Sequence, residues 1–333
     1  MYKKLLVFSY YFTEHMKITE AIKELEQWNI VVIPTETVYG LAADATNISA
    51  IKNIFITKNR PQDNPLIVHV WHKKDINTYA KIQSDLEKTL IEKFMPWPFT
   101  ILLHKKNTIS DTVTAGSTLV AIRIPQHPIA LKILQDSWLA LAAPSANISG
   151  KPSPTNITMV EQNFGDSVAV VDGGRCAVWI ESTVVQVQWD SVIIHRPGFI
   201  TPTDIHLAIG KDVPVIYSNE KNNISPGIKY KHYAPKAQIH LLEPGSLLPI
   251  NSAKRGLIVT DERISKHQCE IAQSNCRIYR RGSHANLLEC AQKLYDLYYQ
   301  ADKDGILHIY IESLPEENGV AYAIMNRVKK SLE

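Results

Sequence analysis

Short apolar runs of three to six residues, each stopped by a proline or a polar cluster, restrict the fold of this chain more than any other feature. Ile30–Ile33 ends at Pro34, and Leu66–Val70, Thr100–Leu103, Leu119–Ile124, Val168–Val171, Thr183–Val187 and Val192–Ile194 repeat the pattern. Runs this short and rich in β-branched residues read as buried strands, because a helix of comparable burial needs roughly ten residues or more. Helical segments lie among them. Ile18, Ala21, Ile22 and Leu25 recur at helical spacing, Ser49 reads as an N-cap for a helix carrying Ile51, Ile54 and Phe55, and Ser84-Asp85-Leu86-Glu87 is a capping box ahead of Leu90, Ile91 and Phe94. Such an order over about 200 residues predicts an α/β domain on a mixed, twisted sheet, not a strict βα alternation.

The character changes between about residues 205 and 235, where Gly210, Pro214, Ser218, Asn219, Asn222, Asn223, Ser225, Pro226 and Gly227 make a breaker-rich linker. Beyond it, strands at Gln238–Leu242, Gly256–Thr260, Arg277–Tyr279 and Ile306–Ile311 and helices at Leu287–Tyr299 and Ala321–Leu332 predict a smaller α/β domain with a mainly parallel sheet. The expected division is a candidate upstream extension at 1–16 (Met16 being an alternative start), a catalytic domain at 17–208, a linker at 209–235 and a C-terminal Rossmann-like domain at 236–333. Residues 1–208 carry 19 Lys and Arg against 19 Asp and Glu, which argues against a broad phosphate-backbone footprint there; the C-terminal remainder carries 17 against 14. The four cysteines fit neither a disulfide framework nor a Cys-x-x-Cys zinc site, so no metal ligands are expected and the thiols read as reduced and cytoplasmic. No apolar run is long enough to span a bilayer.

Phosphate-loop, dinucleotide-fold, zinc-protease and nucleophile-elbow signatures are absent. What remains is a set of polar clusters against strand ends. Pro34–Leu41 offers hydroxyls, a carboxylate and a glycine, suited to a small polar ligand or simply to a hydrogen-bonded turn. Lys58-Asn59-Arg60-Pro61-Gln62-Asp63-Asn64-Pro65 sets two cations within three residues between prolines, a phosphate clamp or a solvated loop. Ala143–Gly150, followed by Lys151–Thr155, combines small residues with neutral donors for an anion. Glu181-Ser182-Thr183 and Arg196-Pro197-Gly198 flank further strands. Arg123, a charge in an apolar strand, needs a partner that is either a ligand carboxylate or a structural ion pair.

Taken in order, Pro-Thr-Glu-Thr-Val-Tyr-Gly-Leu, Lys-x-Arg-Pro-x-x-Asn-Pro-Leu-Ile-Val-His, Val-Ala-Ile-Arg-Ile-Pro, Ala-Pro-Ser-Ala-Asn-x-Ser-Gly, Glu-Ser-Thr-Val-Val and Arg-Pro-Gly strongly resemble the YrdC-type threonylcarbamoyl-AMP synthase family. The likeness continues through Ser225–Pro235 to Asn326-Arg327-Val328, the longer two-domain form. Three positions depart from it: Asn59, Trp97 and Trp179 stand where the family usually has glycine. The resemblance implies formation of threonylcarbamoyl-AMP and pyrophosphate from L-threonine, bicarbonate and ATP with Mg²⁺, for threonylcarbamoyladenosine in transfer RNA. It implies threonine among Thr37, His69, Arg123, Ser145 and Ser182. It implies ATP on Lys58, Arg60, Asn64, Asn147, Thr155 and Arg196, with Tyr233 folding over the nucleotide and Lys58 and Arg60 acting on the reacting phosphates. It further implies downstream proteins that transfer the threonylcarbamoyl group to tRNA, weak or no direct tRNA binding, and no membrane partner. An RNA-binding module and a carbamoyl transferase for another acceptor are the competing expectations; the first lacks aromatic–basic interleaving and the second lacks the accompanying zinc-finger cysteines.

Overall fold

The computed structural model describes residues 16–219, 232–246, 254–315 and 319–332. The candidate upstream extension, apart from Met16, and the middle of the linker lie outside them. The strands are β1 Val31–Ile33, β2 Gly40–Asp44, β3 Ile67–His69, β4 Ala80–Lys81, β5 Phe99–Lys105, β6 Leu119–Arg123, β7 Leu141–Ala142, β8 Ala169–Val170, β9 Thr183–Gln188, β10 Ser191–Arg196, β11 Val215–Tyr217, β12 Gln238–Leu242, β13 Arg255–Val259, β14 Arg277–Arg280 and β15 His308–Glu312. The first eleven form one sheet in the order β11-β10-β9-β5-β6-β3-β7-β2-β1-β8, with β4 alongside β5. It is mixed: β3–β6, β5–β9, β1–β8 and β10–β11 are parallel, and the other pairs antiparallel. The last four form a second sheet, β12-β15-β13-β14, with every pair parallel.

Side chains alternate across each strand, so a strand buried on both faces contributes to two cores. Val32 packs with Leu41, Val68, Ile101, Ile122 and Val185 on one face of the large sheet. Its neighbours Val31 and Ile33 pack on the other face, against helices Ile18–Glu26 and Pro128–Ser137. In the second sheet Ile258 joins Ile309, Ile311, Leu294 and Val328, while Leu257 and Val259 join Leu242 and Ile271. Val38 and Ile180, from loops of the first sheet, pack into the core of the second unit beside Tyr233 and Tyr295. The two units therefore meet at the loops that carry the polar clusters.

Three local expectations change. The helix expected to start at Ser49 runs Ile48–Lys58 and is capped by Asn47, whose side chain accepts from Ala50 N at 3.0 Å; Asn is as good a cap as Ser, and Ile48, the residue between them, is exposed and so adds nothing to the buried face. Gly40–Asp44, the end of a polar cluster in the sequence, is a fully buried strand. Pairing with β1 and β7 overrides the poor strand propensity of Gly and Ala. Val215–Tyr217, inside the segment read as linker, pairs parallel with β10 and belongs to the large sheet.

Gly198, after β10, lets two segments of backbone touch. A Cβ there would stand 2.4 Å from Thr183 N, 2.6 Å from Glu181 O and 2.8 Å from Ser182 C. Since all three are main-chain atoms, nothing can turn aside. Gly198→Ala is expected to cost about 1–3 kcal/mol, the usual range for overpacking, read as a lower urea midpoint; an unchanged midpoint would contradict the close approach.

Candidate active site

The strands deliver the polar clusters to one cavity. Its wall is formed by Thr37 from the β1–β2 loop, Lys58 and Arg60 at the end of helix Ile48–Lys58, His69 at the end of β3, and Arg123 at the end of β6. Ser145, Asn147, Ser149 and Lys151 follow β7, Glu181 precedes β9, Arg196 ends β10, and His232 and Tyr233 complete the enclosure. Nine of the twelve site residues expected from the sequence line this cavity: Thr37, Lys58, Arg60, His69, Arg123, Ser145, Asn147, Arg196 and Tyr233. Asn64, Ser182 and Thr155 do not. Asn64 holds Arg60, accepting from its Nη2 at 2.7 Å through Oδ1 and from its Nε at 3.1 Å through the main-chain oxygen. Ser182 holds Arg196, its hydroxyl accepting from Nη2 at 3.0 Å and its carbonyl accepting from Nε at 3.0 Å. Thr155 is fully buried and its hydroxyl donates to Asp296 at 3.1 Å, on helix Leu287–Lys303 of the second unit.

Of the two alternatives left open by the sequence for Arg123, the structure shows the ion pair. Arg123 pairs with Glu36 through Nη2 and donates to Thr37 Oγ1 from Nη1 at 3.0 Å, with both charged side chains buried. Its Nε, and Oε2 of Glu36, have no hydrogen-bond partner among the described residues. A buried guanidinium with a donor unspent on a cavity wall is the feature a carboxylate ligand would complete. Thr35 organises this loop by accepting from the main-chain N–H groups of Thr37 and Val38, each at 3.2 Å.

Lys58 is almost wholly buried and donates to the carbonyl oxygens of Ser145 and Asn147. Burial, then the neighbouring Arg60 charge, holds its ammonium well below the ordinary lysine range. Burial also lowers Arg60, to about 10. Asn147 spends its amide N–H groups on Ile148 O and Lys151 O, both at 2.9 Å, which leaves Oδ1 as a buried acceptor without a donor among the described residues. Asn59 ends the preceding helix at φ 49° and Trp179 stands at φ 66°, so two of the three glycine departures keep the left-handed backbone a glycine would adopt. Arg175 lies 4.7 Å over the Trp179 ring and helps hold it there.

Glu181, noticed in the sequence only as part of a cluster, is the centre of a network that no spacing rule could reveal. It accepts from Ser153 Oγ at 2.7 Å, from Tyr295 Oη at 3.1 Å and from Arg327 Nε at 2.9 Å. Arg327, fully buried on the last helix, also donates to Pro197 O at 2.7 Å. Its guanidinium lies 5.6 Å from the centre of the Tyr233 ring, which stacks on Tyr295.

Profiles of two families match the chain: one described as telomere recombination over residues 23–198, the other as the threonylcarbamoyl-AMP synthase C-terminal domain over 200–331. A threonylcarbamoyl-AMP synthase from Bacillus subtilis is 39% identical, with 96% of this chain and 94% of that protein covered. The chain belongs to the threonylcarbamoyl-AMP synthase family. The Pyrococcus abyssi member is 35% identical over the same shares, 96% and 94%. The structure of the Pyrococcus abyssi Sua5 protein complexed with L-threonine superposes with a TM-score of 0.80 at 30% identity, covering 96% of each chain. Both units of this chain are thus shared with the family. Among the described residues no helix is long and apolar enough to cross a membrane.

The buried imidazoles give a pH prediction. Burial, then the nearby Arg123 charge, lowers His69 to about 3, and burial, then Arg60, lowers His232 to about 3. Both rings remain neutral where an unfolded chain, titrating near 6.5, already binds protons. Stability is therefore expected to fall as pH drops from about 6.5 toward 3. Histidine NMR should show neither ring protonating near 6.5; a titration there would contradict the closed geometry.

Proposed function

We propose that this protein condenses L-threonine, bicarbonate and ATP into threonylcarbamoyl-AMP and pyrophosphate, as the activated precursor of threonylcarbamoyladenosine in transfer RNA. The observation that carries the reading is the charge on the cavity wall. Lys58, Arg60, Arg123, Lys151 and Arg196 line it against one carboxylate, Glu181, and that carboxylate is already held by Arg327. So much positive charge at a mostly dry wall calls for a polyanion and a second, smaller anion.

In this reading the threonine carboxylate takes the free Nε of Arg123, with Thr37 and Ser145 beside it and Ser182 acting through Arg196. The ATP phosphates lie against Lys58, Arg60 and Arg196, and Asn147 Oδ1 accepts from the nucleotide. Asn64 and Thr155 support the wall from behind. The threonine ammonium first gives up a proton, and the neutral amine then captures bicarbonate as a carbamate with loss of one water. A carbamate oxygen then bonds to the α-phosphorus as the bond to pyrophosphate breaks. No side-chain nucleophile is needed; placement of the reactants supplies about 7–11 kcal/mol, and the cations stabilise the charge that develops on the phosphates. Neutral His69 positions substrate by hydrogen bonding. Mg²⁺ comes with ATP as part of the substrate, since among the described residues Glu181 is the sole carboxylate of the wall and its oxygens are already engaged.

The free cavity is only about 60 Å³, far below what ATP and threonine occupy. Tyr233, buried at φ 63°, fills part of it. We therefore place Tyr233 as a cover that withdraws for substrates and returns to exclude water from a carbamate and an acyl-adenylate, both of which hydrolyse readily. Transfer proteins then take the product to tRNA in the cytoplasm, without strong tRNA binding by this chain.

Purified protein is expected to release pyrophosphate from ATP only when L-threonine and bicarbonate are both present. Arg123→Lys, which keeps the charge but loses the planar fork, should raise the threonine KM roughly tenfold or more, and Arg123→Ala roughly 100-fold or more. Lys58→Ala should lower kcat by roughly 10²–10³ in protein that still folds. Folded protein that binds ATP without substrate-dependent release would overturn the reading. Salt-dependent tRNA affinity or turnover with another carbamoyl acceptor would then identify the alternative.

A further inference from the structure

The second sheet has its own cleft, which shares no lining residue with the cavity above. All four strands supply it from their carboxyl ends: Glu243, Pro244 and Gly245 after β12; Glu262, Arg263, Lys266 and His267 after β13; His284 after β14; and Glu312 to Pro315 at and after β15. Its volume is about 530 Å³, ample for a small metabolite. Topology makes this the favoured side of the sheet. β13 leads to β14 on its outer flank, whereas β15, its other neighbour, leads to helix Val320–Leu332, which packs against β12. The connections diverge between β13 and β15, and a parallel sheet binds ligands in the crevice opened at such a point.

The floor of the cleft carries an imbalance of buried charge. Arg263, on the cleft wall, is 7% exposed, and Arg281, outside the lining but bonded to the main chain of Glu312, is fully buried, against one buried carboxylate, Glu312. The Glu312 carboxylate spends its hydrogen bonds on Thr260 and stands only in a loose ion pair with Arg263. Its Oε2 accepts from Thr260 N at 2.7 Å and Thr260 Oγ1 at 2.8 Å, while Oε1 lies 4.0 Å from Arg263 Nη1 and 3.8 Å from His284 Nε2, too far for hydrogen bonds. Arg281 Nη1 donates to the main-chain oxygen of Glu312 at 2.9 Å. Nε of Arg263, and Nε and Nη2 of Arg281, have no partner among the described residues. Buried guanidinium groups with unspent donors call for an anion.

The rim limits which anion. Lys266 and His284 are exposed and face the cleft, adding donors for one head group. Glu243 and Glu262, also on the exposed rim, accept from Ser313 Oγ at 3.0 Å and from His284 N at 3.1 Å. Two carboxylates at the mouth would repel a long polyanion such as nucleic acid. We propose that this cleft binds a small metabolite through a single oxyanion head, carboxylate or phosphate, seated on Arg263 with Lys266 and His284 above it. It is a second ligand site, independent of the one assigned to threonine and ATP.

Amide NMR of the full chain tests this with three probes: inorganic phosphate, succinate and tripolyphosphate. Phosphate or succinate should perturb Gly245, His284 and Ser313 saturably, and the tighter of the two identifies the source of the oxyanion. The perturbation should persist in Lys58→Ala, which weakens the first cavity. It should weaken at least about tenfold in Arg263→Gln, the range for losing a charged hydrogen bond, while threonine-dependent pyrophosphate release stays unchanged. Should Arg263→Gln fail to fold, the exposed pair Lys266→Gln with His284→Gln is expected to weaken binding severalfold. Absence of any perturbation at these amides, an unchanged affinity in the variants, or tighter binding of tripolyphosphate would overturn the proposal.

Discussion

The bond between Glu181 and Arg327 joins the two units and walls the cavity at once. Both side chains are buried, Arg327 completely. Such a pair is costly to desolvate and stabilises only when the remaining polar atoms find partners. Here Ser153 and Tyr295 complete the carboxylate, and Pro197 O takes a further guanidinium N–H. The Arg327 charge, foremost among the neighbouring groups that oppose burial, keeps the Glu181 carboxyl below its ordinary range. Because Glu181 precedes β9 and Arg327 lies on the last helix, the site cannot be complete unless the far end of the chain has docked.

That docking also holds Tyr233. A tyrosine at φ 63° costs about 1–2 kcal/mol over an ordinary backbone, yet stacking on Tyr295 and the Arg327 guanidinium over the ring keep it in place. Tyr295 and Arg327 both bond Glu181 of the cavity wall, and strained backbone of this kind clusters at active sites and ligand clamps. The second unit is therefore a structural part of the first cavity, and its own cleft opens at the far, carboxyl ends of its strands.

Much of this was legible in the sequence, for physical reasons. Alternating burial makes short β-branched runs recognisable, so the large sheet and the parallel second sheet follow from pattern alone. Strand ends in an α/β fold are where ligands bind, so polar clusters at those ends gave most of the cavity wall. Other features escaped, among them these. Gly40–Asp44 has the composition of a loop and becomes a strand only through its neighbours. Asn64, Ser182 and Thr155 belong to the motifs but act behind the wall, a distinction that depends on side-chain direction. Glu181 and Arg327 are 146 residues apart, and only the tertiary fold brings them together.

The central claim is that one cationic cavity, built by both units, holds the carboxylate of threonine and the phosphates of ATP together. A crystal structure of the protein with L-threonine and a non-hydrolysable ATP analogue tests it most directly. The account predicts the threonine carboxylate on Arg123 Nε and the phosphates along Lys58, Arg60 and Arg196, with Tyr233 displaced from its present place or closed over the nucleotide. A triphosphate bound elsewhere, or a threonine whose carboxylate avoids Arg123, would contradict it.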